Sequence, residues 1–299
     1  MQEWKIATQR MLDWLEEHIA ENPTLLDMSR QVGYSPGYCS MQFHRVMGQT
    51  MKRYVAGRRL ALATLALRDT DERILDIAVR CGYSSQEAMT RAFTAAYGVT
   101  PYTYRKKPRA LPLPVRKNIL FPYDDTEKGE MAMSSNIREP QVRAEYIPEH
   151  KYIGIWDPEV SDYMSFWDRH DCDATYGIIE SMAHLADPVV TPFTAGWYDV
   201  GNNKKGYFFG FGVPADYSGE VPEGFEIRSF PGSYYLVFSH PPFDFLKEND
   251  EVMSRVSKLA WGFDPATRGF EWNDACQNFQ RHVPETFGYE ILRPVKRKG

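Results

Sequence analysis

The N-terminal half of the chain carries an internal repeat with a period of about 49 residues. Gly33-Tyr34-Ser35 is followed by Phe43, Gly48 and Tyr54, and Gly82-Tyr83-Ser84 is followed by Phe93, Gly98 and Tyr104. A fixed period indicates one supersecondary unit used twice. In each copy a short helix (26–32 or 74–81) reaches a glycine turn, a serine can cap the next helix, and a phenylalanine anchors that helix. The repeat therefore predicts two helix-turn-helix units.

Two longer helices accompany the repeat. Trp4, Met11 and Leu15 recur at helical spacing before Pro23, and 51–67 is rich in Ala, Leu and Arg. Because 51–67 lies between the copies, we expect it to join the two units as one long helix. Units joined in this way would enter successive major grooves, about 34 Å apart, on one face of a duplex. One chain could then contact two half-sites.

Charge is divided unevenly along the 299 residues. Residues 1–118 hold 18 Lys and Arg against 11 Asp and Glu, whereas the remaining residues hold 17 against 29. A basic segment suits binding to a polyanion such as double-stranded DNA. The chain has no run of about 18 apolar residues, and its N-terminus is charged throughout. We therefore expect no membrane span or secretory signal, and a cytoplasmic location.

The cysteines give no sign of a metal site. Cys39, Cys81, Cys172 and Cys276 are far apart in sequence and form no CxxC pair. Zinc sites and disulfide frameworks use closely spaced cysteines, so we expect reduced thiols, no metal and no cofactor.

The C-terminal part has a different periodicity. Between Lys106 and Asn136 prolines, charges and small residues replace the helical pattern, which predicts a linker at 108–137. Beyond it, alternation predicts strands near 142–147, 151–156, 194–199, 207–213, 225–230, 234–240 and 289–295. Helices near 162–185 and 243–261 interrupt these strands. We expect a multidomain chain, with an all-α double helix-turn-helix domain (1–107) and an α+β domain (138–299) built of two βαββ halves.

The second recognition helix carries the better set of base-contacting groups. After Ser85, the side chains of Gln86, Glu87, Thr90 and Arg91 fall on one exposed helical face. Amide, hydroxyl and guanidinium groups can bond base edges and phosphates. We predict that these five residues contact DNA.

The first recognition helix is chemically poorer. Its comparable face offers Ser40, Met41, His44 and Arg45 next to Gly37, without an obvious bidentate partner for guanine or adenine. We predict contacts from these four side chains that depend on phosphate, shape and van der Waals packing. The candidates to neutralise phosphates are Arg58 and Arg59 on the connecting helix and Arg105, Lys106 and Lys107, with a solvated surface charge as the alternative for each.

The stretch ILDIAVRCGYSSQEAMTRAFTAAYGVTPYTYRK resembles the AraC/XylS family. The likeness lies in the Ile-x-x-Ala-x-x-x-Gly-Tyr run, the Arg-x-Phe and the Gly-x-Thr-Pro-x-x-Tyr-Arg, and it covers about residues 5–107. It implies DNA contacts from both recognition helices. On the second helix, the contacting positions of the family correspond to Gln86, Glu87, Thr90 and Arg91. On the first helix, Gly37 and Met41 stand where the family often has large polar residues.

Aromatic residues are concentrated in the C-terminal half. Five of the seven tryptophans lie there, namely Trp156, Trp167, Trp197, Trp261 and Trp272. This is more aromatic surface than a core of this size needs, so we expect some of it to line a cavity. In the strand at 207–213, alternation places Tyr207, Phe209 and Phe211 on one face and two glycines on the other.

Glu290 is an ionisable residue inside an apolar strand. A buried carboxylate must be solvated, paired or neutralised, because isolating the charge costs several kcal/mol. A cationic ligand is one candidate partner, which aromatic walls would also attract through cation–π contacts. Solvent at a sheet edge or a structural arginine is the alternative.

Residues 138–297 resemble the GyrI-like effector-binding domain of multidrug-responsive regulators, in the domain order of the Rob-type subgroup. The two βαββ halves and the terminal strand at 289–295 carry this likeness, while Gln280 stands at a position that is often acidic in the family. The resemblance implies a sensor of a hydrophobic small molecule, cationic if Glu290 is its partner. The expected ligand-binding residues are Trp156, Trp167, Tyr207, Phe209, Trp261, Trp272 and Glu290.

We expect a transcription regulator and not an enzyme, with double-stranded DNA, a small-molecule effector and RNA polymerase as partners. Two alternatives concern the C-terminal domain, which could hydrolyse a small molecule with a cavity carboxylate activating water, or could bind another protein. The sequence offers no nucleophile–base pair, and the histidines of this half lack metal-ligand spacing. Stabilisation by small aromatic compounds would distinguish a sensor from an interaction module.

Overall fold

The computed structural model describes residues 2–119, 137–190, 194–201, 204–283 and 288–298, and the chain forms two compact units. Unit 1 comprises Met1–Gly129 and Asp171–His184, and unit 2 comprises Glu130–His170 and Leu185–Gly299. A segment that we expected in the C-terminal domain, Asp171–His184, therefore groups with the helical unit. The boundaries 1–107, 108–137 and 138–299 remain predictions, and most of the expected linker lies outside the described residues.

Unit 1 is helical. Its helices are α1 (Gln2–Glu17), α2 (Leu25–Val32), α3 (Pro36–Met47), α4 (Met51–Asp69), α5 (Ile74–Arg80), α6 (Gln86–Tyr97) and α7 (Pro101–Lys106). Helices α8 (Tyr163–Arg169) and α9 (Cys172–Met182) follow later in the chain, and only α9 belongs to unit 1. The prediction of a single helix at 162–185 is wrong, because the Asp171 side chain accepts a hydrogen bond from the Ala174 N–H and starts a new helix there.

The repeat glycines turn the chain between helices. Gly33 and Gly82 have φ of 75° and 76°, and Gly48 and Gly98 have φ of 66° and 70°. Only glycine adopts this left-handed conformation without steric cost, so the repeat fixes where α2, α3 and α6 end. This confirms the helix-turn-helix pattern in both copies.

The serines of the repeat differ in one respect. Ser35 caps α3 and accepts a hydrogen bond from the Tyr38 N–H, as the repeat predicts. In the second copy the cap is Ser85, which accepts from the Ala88 N–H, and not the aligned Ser84. The second recognition helix therefore starts one residue later than the repeat alone indicates.

Helix α4 connects two hydrophobic clusters within unit 1. Its first turns supply Tyr54 and Val55 to a cluster formed with α1, α2 and α3 around Phe43. Its later turns supply Leu60 to Leu67 to a second cluster formed with α5, α6 and α7 around Phe93. The long helix between the repeat copies is thus shared by both helix-turn-helix units, as expected.

The segment 107–119, which follows α7, packs on unit 1 and is named here the strap. Leu111 and Leu113 are buried in the cluster around Phe93. At the other end of the strap, the Gln9 side chain donates to the Lys117 carbonyl and accepts from the Ile119 N–H. The strap therefore contacts both halves of the helical unit.

Helix α9 packs on the strap. The Leu111 N–H donates to the Ser181 hydroxyl at 2.9 Å, and Lys117 pairs with Asp173. At Gly177 the helix comes so close that an added Cβ would overlap the backbone of Leu113. This close approach explains why a glycine is needed in the middle of α9.

Unit 2 is built on an antiparallel sheet. Its strands are β1 (Gln141–Ile147), β2 (His150–Asp157), β3 (Thr194–Gly201), β4 (Lys204–Pro214), β5 (Glu226–Phe230), β6 (Ser233–His240), β7 (Phe270–Trp272), β8 (Asn278–Val283) and β9 (Gly288–Arg297). In the described residues the order is β1-β6-β9-β8-β3-β4-β2-β5, with β7 paired to β9. The seven predicted strands are confirmed. Helix α8 follows β2, and α10 (Phe245–Gly262) follows β6.

The two faces of this sheet carry different groups. Tyr289 and Ile291 of β9 pack with Val252 and Val256 of α10 on one face, named here the helix face. Leu292, the next residue along β9, belongs to a cluster on the opposite face, together with aromatic rings from β2, β4, β5, β6 and β8. Alternation along β9 therefore decides which side chains can meet. Among the described residues, no helix is long and apolar enough to cross a bilayer.

Candidate functional site

Helix α6 presents the predicted base-contacting groups to solvent. Gln86, Glu87 and Arg91 are exposed, and Thr90 is half-buried. Ser85 differs, because its hydroxyl caps the helix and accepts from the Ala88 N–H. A hydrogen bond with the Ser85 side chain also lowers the pKa of the Glu87 carboxyl, so this group stays ionised near the helix N-terminus. The structure thus brings four of the predicted contact residues together on one surface, whereas Ser85 caps the helix.

Helix α3 presents the corresponding surface of the first unit. Ser40, Met41, His44 and Arg45 are all exposed, with Met41 at 55%. Phe43, between them in sequence, is fully buried. An exposed methionine on a helix anchored in this way offers van der Waals contact, in line with the predicted chemistry of this helix.

The structure contradicts the prediction that Arg58 and Arg59 neutralise phosphates. Arg58 is buried, and its Nε donates to Glu16 Oε1 at 2.8 Å while Nη1 donates to the Pro114 carbonyl at 2.6 Å. The Arg59 guanidinium donates to the Gly82 carbonyl at 2.9 Å. Both arginines lie on the inward side of α4, where they hold the strap and the second turn in place.

Three of the predicted ligand-binding residues meet on the helix face beside α8. The rings of Trp167 and Phe209 lie 4.8 Å apart, edge to face, and the Tyr207 ring lies 5.6 Å from Phe166. The Tyr207 hydroxyl accepts a hydrogen bond from Gln280 Nε2 at 2.7 Å. Tyr207 and Phe209 are fully buried. Tyr207 and Phe209 of β4 therefore form the surface on which α8 packs.

Trp156 lies on the opposite face of the sheet, apart from these three. It stacks on Phe208 with ring centroids 4.4 Å apart, and the Arg228 guanidinium lies 4.0 Å from its ring. Since Phe208 alternates with Tyr207 along β4, Trp156 and Tyr207 cannot line the same surface. The predicted set of seven residues is thus divided between two faces.

Glu290 has arginine partners. Its carboxylate is buried and lies 3.2 Å from Arg281 Nη1 and 2.7 Å from Arg143 Nη2. Arg281 is also buried, and its Nη2 donates to the Val189 carbonyl at 2.8 Å. Of the alternatives for Glu290, the structural arginine is the one observed, and the carboxylate needs no cationic ligand.

Trp261 and Trp272 meet at a different place, around Arg293 on the helix face. The Arg293 guanidinium lies 3.5 Å from the Trp272 ring and 4.7 Å from the Trp261 ring. Trp261 is 40% exposed and contacts Trp197 edge to face at 5.5 Å. A cavity of about 490 Å³ opens here, with Trp197, Trp272 and Arg293 in its lining. The sequence indicated the tryptophans but not Arg293, since a lone strand arginine carries no pattern.

Comparisons with known proteins match part of this chain. A family model described as a helix-turn-helix domain matches residues 28–107. Regulatory protein SoxS of Salmonella typhimurium is 36% identical over 99 residues, which cover 33% of this chain and 92% of SoxS. The right origin-binding protein of Escherichia coli K12 is 31% identical over 147 residues, which cover 49% of this chain and 44% of that protein.

Two solved structures are similar to the same region. One is a transcriptional regulator with an AraC-type DNA-binding domain from Chromobacterium violaceum, 24% identical over 34% of this chain and 95% of that chain, with a TM-score of 0.32. The other is the DNA-binding domain of AdpA in complex with a target DNA, 22% identical over 33% of this chain and 89% of that chain, with a TM-score of 0.32.

Proposed function

The chain belongs to the AraC/XylS family of DNA-binding transcription regulators, and from that premise we propose that α3 and α6 contact successive major grooves of double-stranded DNA while unit 2 binds an effector. The single observation that carries the DNA part is the pair of recognition helices with exposed polar faces, each anchored by a buried phenylalanine. The protein then acts in the cytoplasm on promoters, with RNA polymerase as a further partner.

We assign sequence discrimination to α6 and positioning to α3. Gln86 and Arg91 are exposed groups that can form bidentate contacts with adenine and guanine. Glu87 can accept from a cytosine amino group, and Thr90 can contact a thymine methyl group or a phosphate. On α3, Arg45 and His44 suit phosphate contacts, and Met41 suits apolar contact with the groove.

The effector part of the proposal assigns GyrI-like sensing to unit 2. A helix flanked by strands occurs twice along the chain, with α8 between β2 and β3 and α10 between β6 and β7, which supports an assignment of two halves. The tryptophans around Arg293 form an accessible aromatic surface, which suits a planar hydrophobic compound. Trp156, Tyr207, Phe209 and Glu290 are packed or paired within the unit, so we do not assign them to such a site.

Helix α9 supplies a physical route for regulation. The chain leaves unit 2 after His170, forms α9 on the strap of unit 1, and returns to unit 2 at Leu185. A change in unit 2 that pulls on either end of α9 would act on the strap, which contacts both halves of the DNA-binding unit. We propose that effector binding alters DNA affinity through this helix.

The test uses full-length protein and DNA selected by that protein from a random-sequence pool, with binding followed by fluorescence anisotropy. Arg91→Ala should weaken binding to the selected site by about tenfold to a hundredfold, and should weaken binding to random DNA far less. The control is Arg10→Ala, an exposed cation on α1 that lies outside both recognition helices. Equal losses for Arg91→Ala on selected and random DNA would contradict the assignment of α6.

A further inference from the structure

The cavity around Arg293 has the dimensions and lining of a small-molecule site. Its volume of about 490 Å³ falls in the range of pockets that enclose a small organic ligand. Trp197 and Trp272 provide apolar walls, and Lys204, Lys205 and Arg293 provide three cations. These three cations lie in the part of the chain where Asp and Glu outnumber Lys and Arg.

Arg293 is a partly buried cation that forms no salt bridge within the described part of the chain. Its guanidinium is packed against Trp272 and donates from Nη1 to the Ala260 carbonyl at 2.9 Å. Its Nε is buried and has no hydrogen-bond partner in the described part of the chain. Burial lowers the pKa of this guanidinium to about 10, with Asp274 as a weaker opposing influence, so it remains charged at neutral pH. A charged donor left unsatisfied in this way is costly, and an anion would offset that cost.

A second buried polar atom in the lining is also unsatisfied. The Oε1 atom of Gln277 is buried and has no hydrogen-bond partner in the described part of the chain. This atom can only accept a hydrogen bond. Two residues of the cavity lining, Arg293 and Gln277, therefore each carry a buried polar atom that no described residue satisfies.

The lining also contains two carboxylates, Asp199 and Asp274. The Asp199 carboxylate accepts from the Gly201 N–H at 2.7 Å, and Asp274 attracts Arg293 only weakly compared with the effect of burial on that guanidinium. Lys204 pairs with Glu159 at 3.2 Å outside the lining, whereas Lys205 lies over the Trp261 ring at 4.8 Å. Lys205 and Arg293 thus remain available to an anion.

We propose that this cavity binds an aromatic carboxylate that also carries an N–H or O–H group. The ring stacks between the tryptophans, the carboxylate accepts from Arg293 and Lys205, and the N–H or O–H donates to Gln277. The inference rests on the proposed effector role of unit 2, whose ligand class it defines as anionic. It replaces the cationic ligand that Glu290 suggested from sequence.

The experiment is isothermal titration calorimetry of the full chain, without DNA, with three probes that share one ring system. These are indole-3-acetate, its neutral amide indole-3-acetamide, and the cation tryptamine. We expect the carboxylate to bind at least about tenfold more tightly than either of the others, because charge-assisted hydrogen bonds are the stronger kind. Equal affinities for the three probes, tighter binding of tryptamine, or no binding of the carboxylate would overturn the proposal.

Single substitutions in the cavity lining test whether the probes bind there. Arg293→Gln should abolish the preference for indole-3-acetate. Gln277→Leu should weaken the binding of indole-3-acetate and of indole-3-acetamide to the same extent. Lys205→Gln should weaken the binding of indole-3-acetate only. Because Lys205 is exposed, this variant keeps the test valid if Arg293→Gln fails to fold. Lys258→Gln on α10 is the matched control and should change nothing. A Lys205→Gln protein with unchanged selectivity would count against the site.

The titrations also separate this inference from regulation of DNA binding. If indole-3-acetate binds as expected but leaves the anisotropy curves on selected DNA unchanged, the site stands and the effector role fails. If DNA affinity responds to other compounds while indole-3-acetate does not bind, the effector role stands and the ligand class is wrong.

Discussion

Arg281 and Glu290 form a buried ion pair across neighbouring strands, with Nη1 and Oε2 3.2 Å apart and both side chains about 5% exposed or less. Replacing Glu290 by Gln would leave the Arg281 guanidinium without this anion, since Glu145 lies farther away at 3.5 Å. We expect Glu290→Gln to lower the free energy of unfolding by about 3 kcal/mol, because removing one partner of a buried ion pair leaves the other charge buried and uncompensated. Urea unfolding of the full chain measures this change.

The other arginine at Glu290 provides the control for that prediction. Arg143 pairs with the same carboxylate at 2.7 Å, but its side chain is 45% exposed. Solvent screens this contact, so Arg143→Gln should cost less than about 1 kcal/mol. Similar losses in the two variants would mean that the buried pair is not the dominant contact.

His282 predicts a pH dependence of stability. Its Nε2 lies 3.0 Å from Asn249 Oδ1, and burial lowers its pKa from 6.5 to about 4. As pH falls from 7 to 5, the unfolded chain takes up a proton on this histidine while the folded protein does not. The folded state should therefore lose about 2 kcal/mol over that range. His282→Gln removes this contribution, and urea unfolding at pH 7 and pH 5 should show a smaller loss for the variant.

The contact between α9 and the strap predicts an asymmetry between two glycines. A methyl group on Gly177 would overlap the Leu113 backbone, whereas a methyl group on Gly262 at the end of α10 meets nothing within 4 Å. Gly177→Ala should destabilise the protein by about 1–3 kcal/mol, and Gly262→Ala should be neutral or slightly stabilising because alanine favours helix. Thermal unfolding compares them, and equal melting temperatures would disprove the close approach.

The capping serine of α6 can be identified by two neighbouring substitutions. Ser85→Ala removes the hydrogen bond from the Ala88 N–H and should cost about 1 kcal/mol. Ser84→Ala, at an exposed position next to it, should leave the free energy of unfolding unchanged. Chemical unfolding of both variants tests the assignment. A larger loss of unfolding free energy in Ser84→Ala would indicate that Ser84, the residue aligned with Ser35, is the cap.

The helical unit could be predicted from sequence because its determinants are local. The positive φ of Gly33, Gly48, Gly82 and Gly98 is a property of single residues at fixed spacing, and helix periodicity follows from neighbours along the chain. Seven of the nine described strands of unit 2 were predictable for the same reason, although the division of the aromatic residues between two faces required the pairing of β4 with its neighbours.

The contacts of charged residues could not be predicted in this way. Arg58 is buried against Glu16 and Pro114, which lie 42 and 56 residues away in the chain, and no local pattern distinguishes it from an exposed arginine. The partners of Glu290 and the lack of a partner for Arg293 Nε depend likewise on tertiary packing. The place of α9 in the helical unit was missed because its sequence neighbours on both sides belong to the sheet.

The return of the chain into unit 1 at Asp171–His184 also affects the order of events during synthesis. A ribosome that has completed α7 has not yet supplied Gly177 and Ser181, which pack on Leu113 and Leu111. Because domains fold as units while the chain emerges, the DNA-binding unit reaches its final form only when part of the second unit has been translated. A nascent or truncated chain that ends before α9 would therefore lack the contacts that α9 makes with Leu111 and Leu113.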